Sequence, residues 1–253
     1  MNYRKLITAM SLLLLAAVYT VVYIGLPSFA KNGDLSAEST GIYSNTAANE
    51  DDENKYDIDF TKKTVVIDSG HGGVDPGKMS SDGILEKEIN LSIAKKLKKL
   101  LIDAGIDVVM TREDDIGLYS EGDSNKKIAD MKKRCQIIKD SNADIVVSIH
   151  QNSFESSSVS GAQVFYYKHS AEGKILAQIL QNSFKENLNP DNKRQEKADS
   201  TYYLLVHTEA PTVIAECGFL SNPEEAALLN TDEYQEKVAS AIYEGIIEYF
   251  CSK

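Results

Sequence analysis

The chain has 253 residues, 42% hydrophobic and 26% charged, a balance that sustains a packed core and excludes global disorder. Its 38 acids outweigh 27 Lys and Arg for a formal net charge of −11, which excludes nucleic acid as a partner because phosphate binding needs a basic excess. The three cysteines, Cys135, Cys217 and Cys251, show no CxxC spacing, so neither a thiolate metal site nor a disulfide framework is expected, and all three read as small buried or half-buried apolar residues.

Arg4 and Lys5 open the chain ahead of an uncharged run of 21 residues, Leu6 to Leu26, followed by Ser28-Phe29-Ala30 and the charged Lys31. A basic start, an apolar centre and a small-x-small end make residues 1–30 an export signal,. The run is also long enough to span a bilayer, so membrane attachment through residues 6–26 is the alternative to cleavage. Either way the remainder works outside the cytoplasm. Residues 31–60 form a polar linker with six acids and one lysine between Glu50 and Asp59; it has no apolar period and too little apolar surface to order itself.

Residues 61–253 alternate strands and helices. Thr64 to Asp68 is a short β-branched run of the buried-strand type. Glu86 to Ala104 is helical, with Ile89, Ile93, Leu97, Leu100 and Leu101 at three- and four-residue spacing, and Gly105 stops it,. Strands are expected over Asp107–Thr111, Asp144–His150, Ala162–Tyr167 and Thr212–Glu216, and helices over Ile128–Ile138, Ala171–Asn187 and Tyr234–Phe250. Such alternation implies an α/β fold, one sheet with helices on both faces, and ligands in such folds gather at the carboxyl ends of the strands.

Two of the four histidines fall at such ends. His71 follows the first strand inside Asp68-Ser69-Gly70-His71-Gly72-Gly73, where the glycines permit a sharp turn and close approach. His150 ends the third strand, and Glu216 ends the strand from Thr212. Glu86 opens the first long helix after a Gly- and Ser-rich loop and can face back to the sheet edge. Two imidazoles and one carboxylate are a known catalytic zinc set with a fourth position for water, and a second carboxylate off the metal, here Glu216, can act as base and proton shuttle. Taken singly, each residue also has an ordinary structural explanation. A strand-end histidine is commonly just a satisfied polar residue. Glu86 can serve the helix dipole, with Glu88 as an alternative ligand, and Glu216 can be a structural hydrogen-bonding acid. His169 and His207 read as non-ligands.

Several blocks go beyond generic chemistry. Val65 to Gly77, Leu85 to Leu91, Thr111-Arg112, Asp130 to Arg134, Ser148-Ile149-His150-Gln151-Asn152 and Pro211 to Asn222 resemble, in order, the zinc-dependent N-acetylmuramoyl-L-alanine amidases. The resemblance implies a single α/β domain with a mixed, mostly parallel twisted sheet. It implies zinc on His71, Glu86 and His150, with Glu216 as the catalytic carboxylate. The implied reaction is hydrolysis of the amide joining N-acetylmuramic acid to L-alanine in peptidoglycan. Arg112, Arg134 and Asn152 also match family positions: structural ion pairing is expected of the arginines and substrate orientation of Asn152.

The sequence departs from many members at Gln151, where they have Ala, and at Val206, where they have a basic residue. The short stretch Asp114 to Asn125 leaves no room for the inserted helix that blocks the site in some relatives. A compact chain with one N-terminal apolar segment resembles the spore-cortex branch of the family, whose action allows muramic-δ-lactam to form. A zinc peptidase acting on wall peptides, a vegetative-wall amidase of autolysis and cell separation, and a non-catalytic wall-binding protein are the competing readings.

Overall fold

The structure is a computed structural model that describes residues 59–253. The apolar run 6–26, its cleavage signal and all but the end of the linker lie outside the described residues. No helix among the described residues is long and apolar enough to cross a membrane. Phe60–Lys62 form a 3-10 turn in which the Asp59 side chain accepts from the Thr61 amide, and Phe60 packs against the core.

Six strands form one sheet: β1 (Thr64–Ser69), β2 (Asp107–Met110), β3 (Ile145–Asn152), β4 (Gln163–Tyr167), β5 (Lys197–Asp199) and β6 (Thr212–Phe219). Their spatial order is β2-β1-β3-β6-β4-β5. Every neighbouring pair is parallel except β4 with β6, so the sheet is mixed and mostly parallel. The helices are α1 (Glu86–Asp103), α2 (Lys126–Ser141), α3 (Ala171–Asn187), α4 (Tyr203–His207), α5 (Pro223–Leu229) and α6 (Asp232–Cys251). The connection from Met110 to Lys126 carries no helix.

Because side chains alternate along a strand, one residue of offset decides which face each group joins. Val65, Ile67, Val147, Ile149, Val213 and Ala215 point to the face covered by α1, α3 and α6, where they join Ile93, Leu97, Leu180 and Ile242 in the main core. Each fully buried Val, Leu or Ile among them contributes roughly 1.5–3 kcal/mol. Val66, Val146 and Ile214 point to the opposite face, against Ile138 of α2 and Leu204 and Leu205 of α4. That second face has a much smaller apolar cluster. Asp68, Ser148, His150 and Glu216 share its parity, and this is where polar chemistry has room.

The structure extends two expected strands. β3 continues past His150 to Asn152, and β6 past Glu216 to Phe219, because their pairing resumes beyond a register shift between His150 and Asn152. Three elements were not expected. β5 has three residues and α4 five, too few to show a period. α5 has a legible start that periodicity alone does not detect: Asn222 caps the amides of Glu224 and Glu225, and Pro223 follows at the first turn,. All three cysteines are free, Cys217 buried and the others half-buried, as their apolar reading requires.

Candidate metal centre

The carboxyl ends of β1, β3 and β6 deliver the site. His71 lies just beyond β1 with φ 61°, a left-handed conformation that turns its ring back over the sheet edge. His150 sits on β3 directly opposite Glu216 on β6. Glu86 is the first residue of α1 and only 2% exposed, whereas Glu88 is exposed; a helix start can aim only one of the two inward, so the alternative ligand falls away.

These groups converge. His71 Nε2 lies 3.2 Å from Glu86 Oε2 and His150 Nδ1 lies 2.9 Å from Glu86 Oε1. The imidazole rings meet edge to face at 5.0 Å. One ligand atom from each of His71, Glu86 and His150 lies within 4.8 Å of the others, so the three form a group able to hold a metal ion. Two imidazoles and one carboxylate suit zinc, and the donor chemistry contains no thiolate that would favour softer metals.

Supporting bonds fix each member. His71 Nδ1 lies 2.9 Å from Asp75 Oδ2; donation there leaves Nε2 free to face inward, the usual orientation of a metal-ligating imidazole. Glu86 accepts from the backbone amides of Lys78 at 2.7 Å and Gln151 at 3.1 Å. Asn90, one turn along α1, donates to Gly70 O and Glu86 Oε1 at 3.2 and 3.4 Å. Gln151 in turn donates to Asn90 Oδ1 at 3.2 Å. Burial works to raise the Glu86 carboxyl pKa, but the hydrogen bond with His150 and the adjoining His71 ring outweigh it and hold the value well below the usual range. Glu86 is therefore ionised.

Glu216 is different. It is 6% exposed, its Oε1 accepts from Tyr202 Oη at 3.3 Å, and its Oε2 is buried with no hydrogen-bond partner. Burial pushes its pKa up to about 7, against the opposing pull of His150. It is a carboxyl poised to gain and lose a proton near neutrality, the property required of a general acid–base group.

The two arginines hold the loop from beneath. Arg134 pairs with Asp68 at 2.7 Å and Asp130 at 2.6 Å, and donates to the carbonyls of Ser69 at 2.7 Å and His71 at 2.6 Å. This is the structural ion pairing expected of it. Arg112 is also structural, but by another means: it donates to the carbonyls of Ser69, Gly70 and Lys87, each at 2.9 Å, and of Asp114 at 3.1 Å. Four carbonyls of three segments are thus tied to one guanidinium.

Asn152 lines the groove around the centre, with its own Oδ1 occupied by the Ser153 amide at 2.8 Å. His169 packs on Tyr167 and His207 stacks on Tyr203, and neither joins the group. The sequence reading did not single out Asp68, Asp75, Asn90 or Tyr202 as site residues. Asp75 could have been found from its four-residue spacing to His71, and Asp68 from its place at the end of β1. Tyr202 gave no signal, since only folding brings it beside Glu216.

Gly70 has a demanding role. A Cβ at that position lies 2.3 Å from His150 Cε1 and 2.4 Å from Nε2, so any side chain displaces the ring. Gly70→Ala is expected to weaken metal binding by at least about 10-fold, the usual scale for disturbing a ligand's support. Zinc titration of the purified variant reads this, with circular dichroism checking that the fold persists.

The fold and the group together define a class: an α/β enzyme domain whose centre, at the carboxyl ends of the parallel strands of a mixed sheet, carries a group able to hold a metal ion. Residues 65–248 match the N-acetylmuramoyl-L-alanine amidase family, and the chain belongs to that family. It is 38% identical over 209 residues to the germination-specific N-acetylmuramoyl-L-alanine amidase of Bacillus subtilis, covering 81% of this chain and 87% of the relative. Among solved structures it is similar to the CwlD amidase from Clostridioides difficile in complex with the GerS lipoprotein. There the TM-score is 0.74 and the identity 43%, over 76% of this chain and all of that one. The N-acetylmuramoyl-L-alanine amidase AmiC2 of Nostoc punctiforme aligns with TM-score 0.64 and 32% identity, over 74% of this chain and 96% of its own.

Proposed function

We propose that this chain hydrolyses the amide between the lactyl group of N-acetylmuramic acid and L-alanine in peptidoglycan, with zinc held by His71, Glu86 and His150 and Glu216 handling the proton. The observation that carries the reading is the pairing of the three-ligand group with a buried carboxyl whose Oε2 has no partner. When bound, zinc acidifies a water and polarises the scissile carbonyl.

The remaining steps fall to side chains. Glu216 Oε2 accepts the proton lost from water as its oxygen bonds to the lactyl carbonyl carbon. It then returns the proton to the alanine nitrogen as the carbon–nitrogen bond breaks. Asp75 and Glu86 keep the imidazoles oriented throughout. The groove around the centre has a volume of about 810 Å³ and is lined by Val74, Tyr119 and Asn152, enough room for a muramyl-peptide segment. Asn152, on the lining of that groove, is the residue assigned to orienting the substrate. Lys78, Lys126 and Lys127 line the same groove and supply positive charge towards the carboxylates of a peptide stem, although the chain as a whole is acidic.

The site of action is outside the cytoplasmic membrane, reached through the export signal or anchor of residues 1–30, and the relationship to a germination-specific amidase favours the spore cortex. Incubation of purified protein with intact peptidoglycan is expected to release new L-alanine amino termini from uncut stems; trimmed stems would favour a peptidase instead. Muropeptides from a strain lacking the protein are expected to lack δ-lactam in the cortex, and unchanged δ-lactam overturns the cortex assignment. A net −1 ligand set without thiolates is expected to release zinc to chelators, with activity lost and then restored by added zinc. Stoichiometric zinc that survives prolonged chelation contradicts that expectation.

A further inference from the structure

We propose that Tyr202 is a positioning residue for Glu216: its hydroxyl engages Oε1 and so leaves Oε2 as the oxygen that carries the proton. The inference rests on the amidase reading and deepens it by assigning the two oxygens of one carboxylate different tasks.

Three observations carry it. The first is the asymmetry at Glu216. Oε1 accepts from Tyr202 Oη at 3.3 Å, while Oε2 is buried and has no partner. A carboxylate with both oxygens free can rotate about its last bond, and one with a fixed donor on a single oxygen cannot do so without losing that bond. The second is how firmly Tyr202 is held. Asp199 Oδ1 accepts from the amides of Thr201 at 2.5 Å and Tyr202 at 3.0 Å, which fixes the turn between β5 and α4. The Tyr202 ring lies on Phe165 at 5.5 Å between centroids, and Phe165 belongs to β4, next to β6 in the sheet. The third is the residue type. Tyr202 occupies the N-cap of α4 but makes no side-chain capping bond, at a position where short polar side chains are preferred. A tyrosine there does nothing for the helix, and its hydroxyl is instead directed to Glu216.

The hydroxyl also suits the chemistry. Donation from a neutral phenol steadies the ionised carboxylate without adding a charge to the groove. The same oxygen can keep its contact as Glu216 gains the proton on the other oxygen, so no rearrangement is needed between accepting and returning it.

The test compares Tyr202→Phe, which removes only the oxygen, with Tyr202→Leu, which removes the ring as well, in the zinc-loaded enzyme acting on peptidoglycan. Tyr202→Phe is expected to lower kcat roughly 10-fold or more, the scale of one hydrogen bond to a charged group. KM is expected to stay within about twofold, the signature of an interaction needed in the transition state. Zinc content and thermal midpoint are expected to match the parent. Tyr202→Leu is expected to be no more than slightly slower than Tyr202→Phe, because the oxygen and not the ring is what acts. If Tyr202→Phe keeps parental kcat and only Tyr202→Leu is impaired, the ring serves packing and the inference fails. A failure of the amidase reading is recognised separately, since the parent protein then releases no L-alanine amino termini at all.

Discussion

Replacing Glu216 with Gln is expected to leave the fold and the metal group intact while lowering kcat by about 10³-fold, within the range that general acid–base catalysis contributes. Gln has nearly the same shape, so Tyr202 keeps a partner and the β6 pairing with His150 is undisturbed. What is lost is the ability to take up a proton. KM is expected to change little, since Glu216 is assigned to proton movement and not to holding substrate. Zinc content is expected to equal the parent's, because Glu216 is outside the three-ligand group. Equal activity in the variant removes Glu216 from the mechanism; loss of zinc instead shows that it is a ligand. The parent's pH profile offers a second check. Burial lifts the Glu216 pKa to about 7, and a base must be deprotonated to act. Activity is therefore expected to fall as pH drops through that region, the positive charge of a cation at the centre moving the limb to lower pH.

The second large effect is on stability. Asp68 and Arg134 are both 2% exposed and paired at 2.7 Å. Asp68 also accepts from Thr111 Oγ1 at 2.7 Å and Ser148 Oγ at 2.6 Å, so one carboxylate joins β1, β3 and α2. Asp68→Ala leaves a buried guanidinium short of its partner and is expected to cost about 3–5 kcal/mol. At roughly 2–4 °C per kcal/mol for a domain of this size, the melting midpoint is expected to drop by about 10 °C. Thermal or urea unfolding measures it, and a change under about 1 kcal/mol would mean that Asp130 and the surrounding carbonyls satisfy Arg134 unaided.

The same pair predicts a response to acid. Burial raises the Asp68 pKa, but Arg134 and the Ser148 hydroxyl more than offset it, bringing the value from 3.8 to about 2. A carboxyl depressed on folding stabilises the protein above its unfolded pKa. That contribution, roughly 2 kcal/mol, is expected to be lost as pH falls from about 4 to about 2. Asp68→Ala is expected to show a flatter stability profile across that window.

Much of this was legible before folding. The β-branched runs that became β1, β3 and β6 announced themselves because parallel strands buried on both faces are continuously apolar. α1 was readable from its 3.6-residue period and the glycine that ends it. The group able to hold a metal was readable because His71 and Glu86 lie at element ends and His150 lies two residues before the end of β3, where the sheet edge is near. Arg112 was harder. Its charge suggested an acid partner, yet four carbonyls hold it, and carbonyl positions have no sequence signature.

The amino-acid sequence by itself determined the α/β alternation, the family and the residues that meet at the centre, because periodicity and local motifs act over a few neighbouring positions. The tertiary structure decided which sheet face receives the polar groups, which of Glu86 and Glu88 turns inward, and that Tyr202 stands against Glu216. Those outcomes depend on strand order and register, which bring together residues far apart in the chain, and no local pattern encodes such a distance.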